Sequence, residues 1–378
     1  MPRVLIASDK FKGSLTAAEV AAAVGAGIRR ARPDAAVDAV TVADGGDGTL
    51  AAAVSAGFDL VPVTAVGPTG RPVQTGYARR GDLAVVELAD VSGLVRLPSG
   101  PAPMTASSLG TGQVIAAAVA AGCRRIVLGI GGSASTDGGA GLVRGLGARL
   151  LDAGGTPIGE GGAALPALAS IDLTVLRELM AGVELVVACD VDNPLTGRDG
   201  AAATYGPQKG ADPDQVRALD VALDRWADLV AAVTGADHRA TPGAGAAGGV
   251  GFATVALLGA ELRSGIDLVL ELIGFSERLE GADLVVTGEG ALDAQTLHGK
   301  APAGVAAGAA AAGIPVVAVC GQNSLDREQL SGAGIAAAYA LTDLEPDIRR
   351  CIAGGALLLE QLGERIAHQH LSPPGGHT

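Results

Sequence analysis

Four short apolar runs in this chain each end directly in a glycine-rich or acidic loop: VTVADGGDGT (40–49), IVLGIGGSASTDGG (126–139), LVVACDVDNPLTG (185–197) and LVVTGEGALDAQT (284–296). In an open α/β sheet, ligands sit at the carboxyl ends of the strands. Glycine lets backbone N–H groups approach a phosphate, and carboxylates hold Mg²⁺ or take a proton. A chain that repeats this pairing at several strand ends predicts an α/β fold built for a phosphorylated ligand and a metal.

The rest of the sequence fits that class. Arg3–Ser8 reads as a buried strand, and Thr16–Ala31 as a helix with Ser14 or Thr16 as N-cap and arginines at its end. A second strand follows at Val37–Val42, and the next helix starts at Gly48, which is a βαβα beginning. Asp59–Ala89 differs: three β-like runs separated by GPTGRP and RRGD predict an antiparallel meander. Helices are expected over 107–122, 138–152 and 212–234, and regular alternation returns from Asp283 to a final helix over 347–367. Two outer strands at the N-terminus and three at the C-terminus make a five-stranded, flavodoxin-like, doubly wound parallel sheet. The middle then forms an inserted second α/β domain with mixed and antiparallel strands. The expected domains are residues 1–60 plus 270–378, and 61–269, with the active site in the cleft between them.

Composition narrows the function. The net charge of −13 argues against a nucleic-acid or anionic-membrane partner, while ATP remains compatible because a metal and local lysines offset its phosphates. Only 2% of residues are aromatic, so the core must be built of Ala, Val, Leu and Ile. Cys123, Cys189, Cys320 and Cys351 lack metal-ligand spacing and read as thiols of a reducing compartment. The N-terminus enters a strand-like run at once, without a signal-peptide apolar region, and the expected location is the cytoplasm.

Each loop carries its own chemistry. In SDKFKGS (8–14), Lys10 and Lys12 offset phosphate charge; the plainer alternative is a basic loop capped by Ser14. In ADGGDGT (43–49), Asp44 beside Gly45 and Gly46 suits a substrate hydroxyl or a metal, or else the segment is a turn with Asp47 as N-cap. In GIGGSASTDGG (129–139), Gly131, Gly132 and Ser133 form an anion cradle around Asp137; the segment lacks the dinucleotide fingerprint, since no glycine stands at 134. In CDVDNP (189–194), Asp190 and Asp192 point the same way from an extended segment, with Asn193 beside them. Asp190 there is a candidate general base or Mg²⁺ ligand, or part of an Asx-turn. TGEGALDAQTLHGK (287–300) gathers Glu289, Asp293, His298 and Lys300 without matching a Walker A motif. Lys10, Lys12, Lys209 and Lys300 are the only lysines in a chain of 27 Lys and Arg residues, and all four lie in or beside such loops, which fits phosphate binding by point charges.

Together these segments resemble the bacterial glycerate kinase family, of the glycerate 2-kinase type found in glyoxylate and glucarate pathways. The matching stretches are SDKFKGSLTA, ADGGDGT, SSLGTGQ, LGIGGSASTDGG, ACDVDNPLTG, GPQKGA, GAAGGVG and TGEGALDAQT, in one order from residue 8 to 296. The resemblance implies ATP- and Mg²⁺-dependent phosphorylation of D-glycerate on the 2-hydroxyl, and a flavodoxin-like domain with an inserted α/β domain. Departures from the family pattern are Ala291 in place of Arg, Ala294 in place of Ser, Asp47 in place of Glu and Ser8 in place of Pro; Ala291 puts any catalytic Arg in that loop in doubt.

Catalytic work is accordingly expected of Asp190, Lys10, Lys12, Asp293 and His298. Substrate and phosphate contacts are expected of Asp44, Gly45, Gly46, Gly131, Gly132, Ser133, Asp137, Asn193, Lys209, Glu289 and Lys300, and metal binding of Asp192 and Glu289. Phosphoryl transfer needs positioning and charge neutralisation more than covalent chemistry, which suits such a set. Alternatives are 3-phosphorylation, a kinase of another small hydroxy acid or polyol, and a non-catalytic ligand sensor. The expected partners are ATP and D-glycerate, with a homodimer left open.

Overall fold

The computed structural model describes residues 1–297 and 300–371. Its strands are β1 (Arg3–Ser8), β2 (Ala36–Thr41), β3 (Asp59–Val66), β4 (Pro72–Arg80), β5 (Leu83–Glu87), β6 (Arg125–Gly129), β7 (Arg149–Leu151), β8 (Ser170–Asp172), β9 (Glu184–Ala188), β10 (Glu261–Arg263), β11 (Leu284–Leu292), β12 (Val316–Asn323) and β13 (Ala337–Ala340). The chain divides into two units. The first holds Met1–Asp44, Ala51–Ala56 and Ile266–Thr378, and the second Gly45–Leu50 and Gly57–Gly265. The acidic loop after β2 is thus divided, with Asp44 in the first unit and Gly45–Leu50 in the second.

The first unit is a parallel sheet in the order β13-β12-β11-β1-β2. Numbered within this unit alone, that is the 2-1-3-4-5 flavodoxin order expected from the strand count. Side chains alternate between two buried layers, so the central strands β1, β11 and β12 read as continuous apolar runs. Val4 and Ile6 pack into one buried layer with helices Ala17–Ala31 and Ile348–His370, while Leu5 and Ala7 pack into another with Ala301–Ala311. Thr16 caps the first helix in a capping box with Glu19. Where that helix crosses the last one the backbones touch: a Cβ on Gly27 would lie 1.9 Å from the carbonyl oxygen of Glu360.

The second unit is built on a mixed sheet, β10-β9-β6-β5-β4-β3. The expected meander is present, because β3–β4 and β4–β5 are antiparallel. β5, β6, β9 and β10 run parallel, so their carboxyl ends share one edge. The helix expected over 138–152 is shorter. It covers Ala140–Gly145; Gly147 then takes φ +101°, and Arg149–Leu151 pairs antiparallel with Ser170–Asp172. The long helix Pro213–Thr234 begins at the Asp212 capping box and buries Trp226. No helix among the described residues is long and apolar enough to cross a membrane.

Candidate active site

In the first unit, the carboxyl ends of the three adjacent strands β2, β1 and β11 bring acidic and basic groups into mutual electrostatic range. β1 and β11 pair as far as Ser8 and Gly288, and the Asp9 amide continues the ladder to Gly288 O at 2.9 Å. Asp9 follows at once, with its Oδ1 accepting from the Lys10 amide at 2.6 Å. Burial pushes the Asp9 carboxyl up to about 7; Lys10 opposes this, and the charges of Asp44 and Glu289 add to it.

Glu289 is the hub of the neighbouring loop. Its Oε1 accepts from Lys300 Nζ at 3.0 Å and its Oε2 from Thr296 Oγ1 at 3.2 Å. Burial raises its pKa against the pull of Lys300. Burial works against the Lys300 charge as well, but the hydrogen bond and charge of Glu289 outweigh it and raise the ammonium pKa. Asp293 closes the loop as an Asx-turn, accepting from the amides of Gln295 and Thr296. Lys12 is exposed. His298 lies outside the described residues.

The second unit gathers the other loops at the shared carboxyl edge of β5, β6 and β9. Gly45–Leu50 lies against this edge backbone to backbone. A Cβ on Gly129 would sit 2.7 Å from Gly45 O, and one on Gly131 would sit 2.6 Å from Gly46 Cα, so both positions demand glycine. Asp137 is buried, and its carboxylate accepts from Ser108 N and Oγ, Gly139 N and Gly141 N. It therefore shapes the GGSASTDGG loop from within. Lys209 is 2% exposed, and its Nζ donates to Ser133 Oγ at 2.8 Å and to the carbonyl of Ser135. Burial lowers its pKa to about 7, with Asp137 opposing. Ser135 Oγ and Thr136 Oγ1 beside it are buried with no hydrogen-bond partner.

Asp190 follows β9 as an exposed residue whose Oδ1 accepts from Gly265 N at 2.8 Å. Asp192 is exposed. Asn193 points back into its own loop: its amide donates to Asp199 O, and its carbonyl accepts from Tyr205 Oη at 2.6 Å.

A family model described as the glycerate kinase family matches residues 4–371. The chain belongs to the glycerate kinase family. It is 42% identical over 369 residues to a Bacillus subtilis (strain 168) protein named glycerate kinase, covering 97% of each chain. It is also 42% identical to an Escherichia coli K12 protein named glycerate 2-kinase, over 90% of each. Among solved structures, a candidate glycerate kinase 2 from Salmonella typhimurium LT2 superposes with a TM-score of 0.83 at 41% identity, covering 97% of both chains.

Two carboxylates of this glycerate kinase family member escaped the sequence reading. Asp9 carries a signal that was open to it, being the first acidic residue after a buried strand that ends in a basic loop. Glu87 carries no such signal, because it ends the VVE run of β5 with neither glycine nor turn residue beside it. It is 5% exposed, and burial pushes its carboxyl up to about 7 despite two backbone amides that favour the charged form.

Proposed function

We propose that this chain transfers the γ-phosphoryl group of ATP to the 2-hydroxyl of D-glycerate, giving 2-phosphoglycerate and ADP. The observation that carries the reading is membership of the glycerate kinase family over residues 4–371, with the candidate carboxylates and lysines of the strand-end loops present. The choice of the 2-hydroxyl rests on the likeness to the E. coli protein named glycerate 2-kinase.

In this reading, Asp190 orients the acceptor hydroxyl and takes its proton as the oxygen attacks the γ-phosphorus. The bond from that phosphorus to the bridging oxygen breaks, and the electron pair leaves with ADP. Lys10, Lys12 and Lys300 offset charge on phosphate or on the glycerate carboxylate, and the Gly131–Ser133 backbone supports the transferred group.

A metal fits the donor set in one particular way. Among the described residues, no group of three His, Cys, Asp or Glu side chains is placed to hold an ion. Mg²⁺ in phosphoryl transfer is commonly held by one or two carboxylates together with substrate phosphates and water. Asp44, Asp192, Glu289 and Asp293 are carboxylates of that kind. When bound, Mg²⁺ would neutralise charge on the phosphate oxygens.

ADP release measured over a panel of hydroxy acids and polyols tests the assignment. Highest kcat/KM with D-glycerate is expected. A clear preference for another acceptor would transfer the assignment to that compound, and no ADP release with any acceptor would favour a ligand sensor.

A further inference from the structure

The glycine-rich half of the acidic loop needs an anchor, and the second unit contains one. Gly45 and Gly48 adopt φ +82° and +106°, conformations that leave a glycine-rich segment costly to order. Thr49 ties back to Gly46 O through its hydroxyl at 2.7 Å, which closes the turn but does not fasten it to the sheet. A hydrogen-bonded fastening comes from Glu87 at the carboxyl end of β5. Its Oε2 accepts from both Gly48 N at 3.1 Å and Leu50 N at 2.9 Å.

These two amides stand at the start of the Thr49–Ser55 helix, where backbone donors have no partner within the helix. Glu87 fills them from inside the protein. The loop therefore offers a ligand its carboxylates rather than these amides. No cation pairs with Glu87 among the described residues; the charges of Asp47 and Asp90 act against its own, and Asp90 is itself held by Thr75 Oγ1 and Arg96. A buried carboxylate with no counter-ion, bonded only to the backbone of a strand-end loop, is an expensive feature for a scaffold to keep without a positioning task.

We propose that Glu87 is a positioning residue for phosphoryl transfer, clamping Gly45–Leu50 to the sheet and thereby fixing Asp47 and the end of the segment that begins at Asp44. The proposal rests on the kinase reading above, but its clamp is measurable without activity.

The test compares Glu87→Gln, Glu87→Ala and Glu87→Asp. Gln keeps an oxygen that accepts both amides without the charge, Ala removes the acceptor, and Asp withdraws it by one methylene. With ATP–Mg²⁺ and D-glycerate, the Ala and Asp variants should lose roughly tenfold or more in kcat, with smaller changes in KM, and the Gln variant should stay within about threefold of the parent. Urea unfolding followed by Trp226 fluorescence confirms that the assayed variants are folded, and if the Ala variant does not fold, the Asp variant decides. Amide hydrogen exchange at Gly48 and Leu50 should quicken by roughly tenfold in the Ala and Asp variants and stay near parental in the Gln variant. Ala and Asp variants with parental kcat, or a Gln variant as impaired as the Asp variant, would overturn the proposal. Parent protein that fails to phosphorylate D-glycerate would sink the functional reading instead, while the exchange comparison would still decide the clamp.

Discussion

Replacing Lys209 with Met puts a magnitude on the scaffold of the second unit's GGSASTDGG loop. The amine is 2% exposed, forms no ion pair with a carboxylate among the described residues, and donates to Ser133 Oγ and Ser135 O. Burial carries its pKa from 10.5 down to about 7. As pH falls from 10.5 towards 7, the unfolded chain takes up a proton that the folded protein declines, so stability rises with pH across that window. The full span corresponds to roughly 5 kcal/mol. Met removes this linkage but leaves two acceptors without their donor, at about 1–3 kcal/mol each. Near pH 7 the two effects offset, and parent and variant should lie within about 3 kcal/mol of each other. Near pH 10 the parent has recovered most of the linkage loss, and its advantage over the variant should have grown by roughly 4 kcal/mol. Urea unfolding reports this through Trp226, the only tryptophan, which is fully buried and donates from Nε1 to Gly138 O at 2.9 Å. An unchanged difference between parent and variant at pH 7 and pH 10 would refute the argument that the amine is held near neutrality.

Further outcomes follow from the same geometry. Asp190→Asn should lower kcat by on the order of 10²-fold, and activity retained within a few-fold would remove Asp190 from the proton-accepting role. Gly27→Ala forces a methyl group to 1.9 Å from Glu360 O and should destabilise the first unit by about 1–3 kcal/mol or more, read as a lower urea midpoint; an unchanged midpoint would mean the two helices part at little cost. Asp9, raised to about 7, keeps a proton in the folded state that the unfolded chain releases. Its contribution to stability is therefore complete below about pH 4 and is lost as pH rises through about 7. Asp9→Asn should flatten that part of the stability profile, and a profile that keeps its full slope would contradict the assignment.

The sequence revealed most where local rules and global fold agree. The central strands β1, β11 and β12 are buried over most of their length, so they read as apolar runs, and the count of two plus three led directly to the order β13-β12-β11-β1-β2. Separators such as GPTGRP and RRGD marked the meander because turn chemistry is local. The Ala140–Gly145 helix was overextended because the pairing that ends it, Arg149–Leu151 with Ser170–Asp172, is formed with residues some twenty positions away. At the site, motif reading found the loops but not the direction of their side chains. Asp137, Asn193 and Lys209 stand in the expected segments, yet their polar atoms are taken up by protein groups: Asp137 by the amides of Ser108 and Gly141, Asn193 by the Asp199 carbonyl, and Lys209 by the Ser135 carbonyl. Glu87 was invisible for the complementary reason: its partners are two amides 37 and 39 residues earlier, and local patterns such as an N-cap announce only bonds to nearby backbone.

The central claim is phosphoryl transfer to a particular oxygen, and ³¹P NMR of the product formed from D-glycerate, ATP and Mg²⁺ tests it most directly. A single new phosphomonoester resonance matching 2-phosphoglycerate, growing in step with ADP, is the predicted result. A resonance matching 3-phosphoglycerate, or ATP left intact in the presence of D-glycerate, would contradict it.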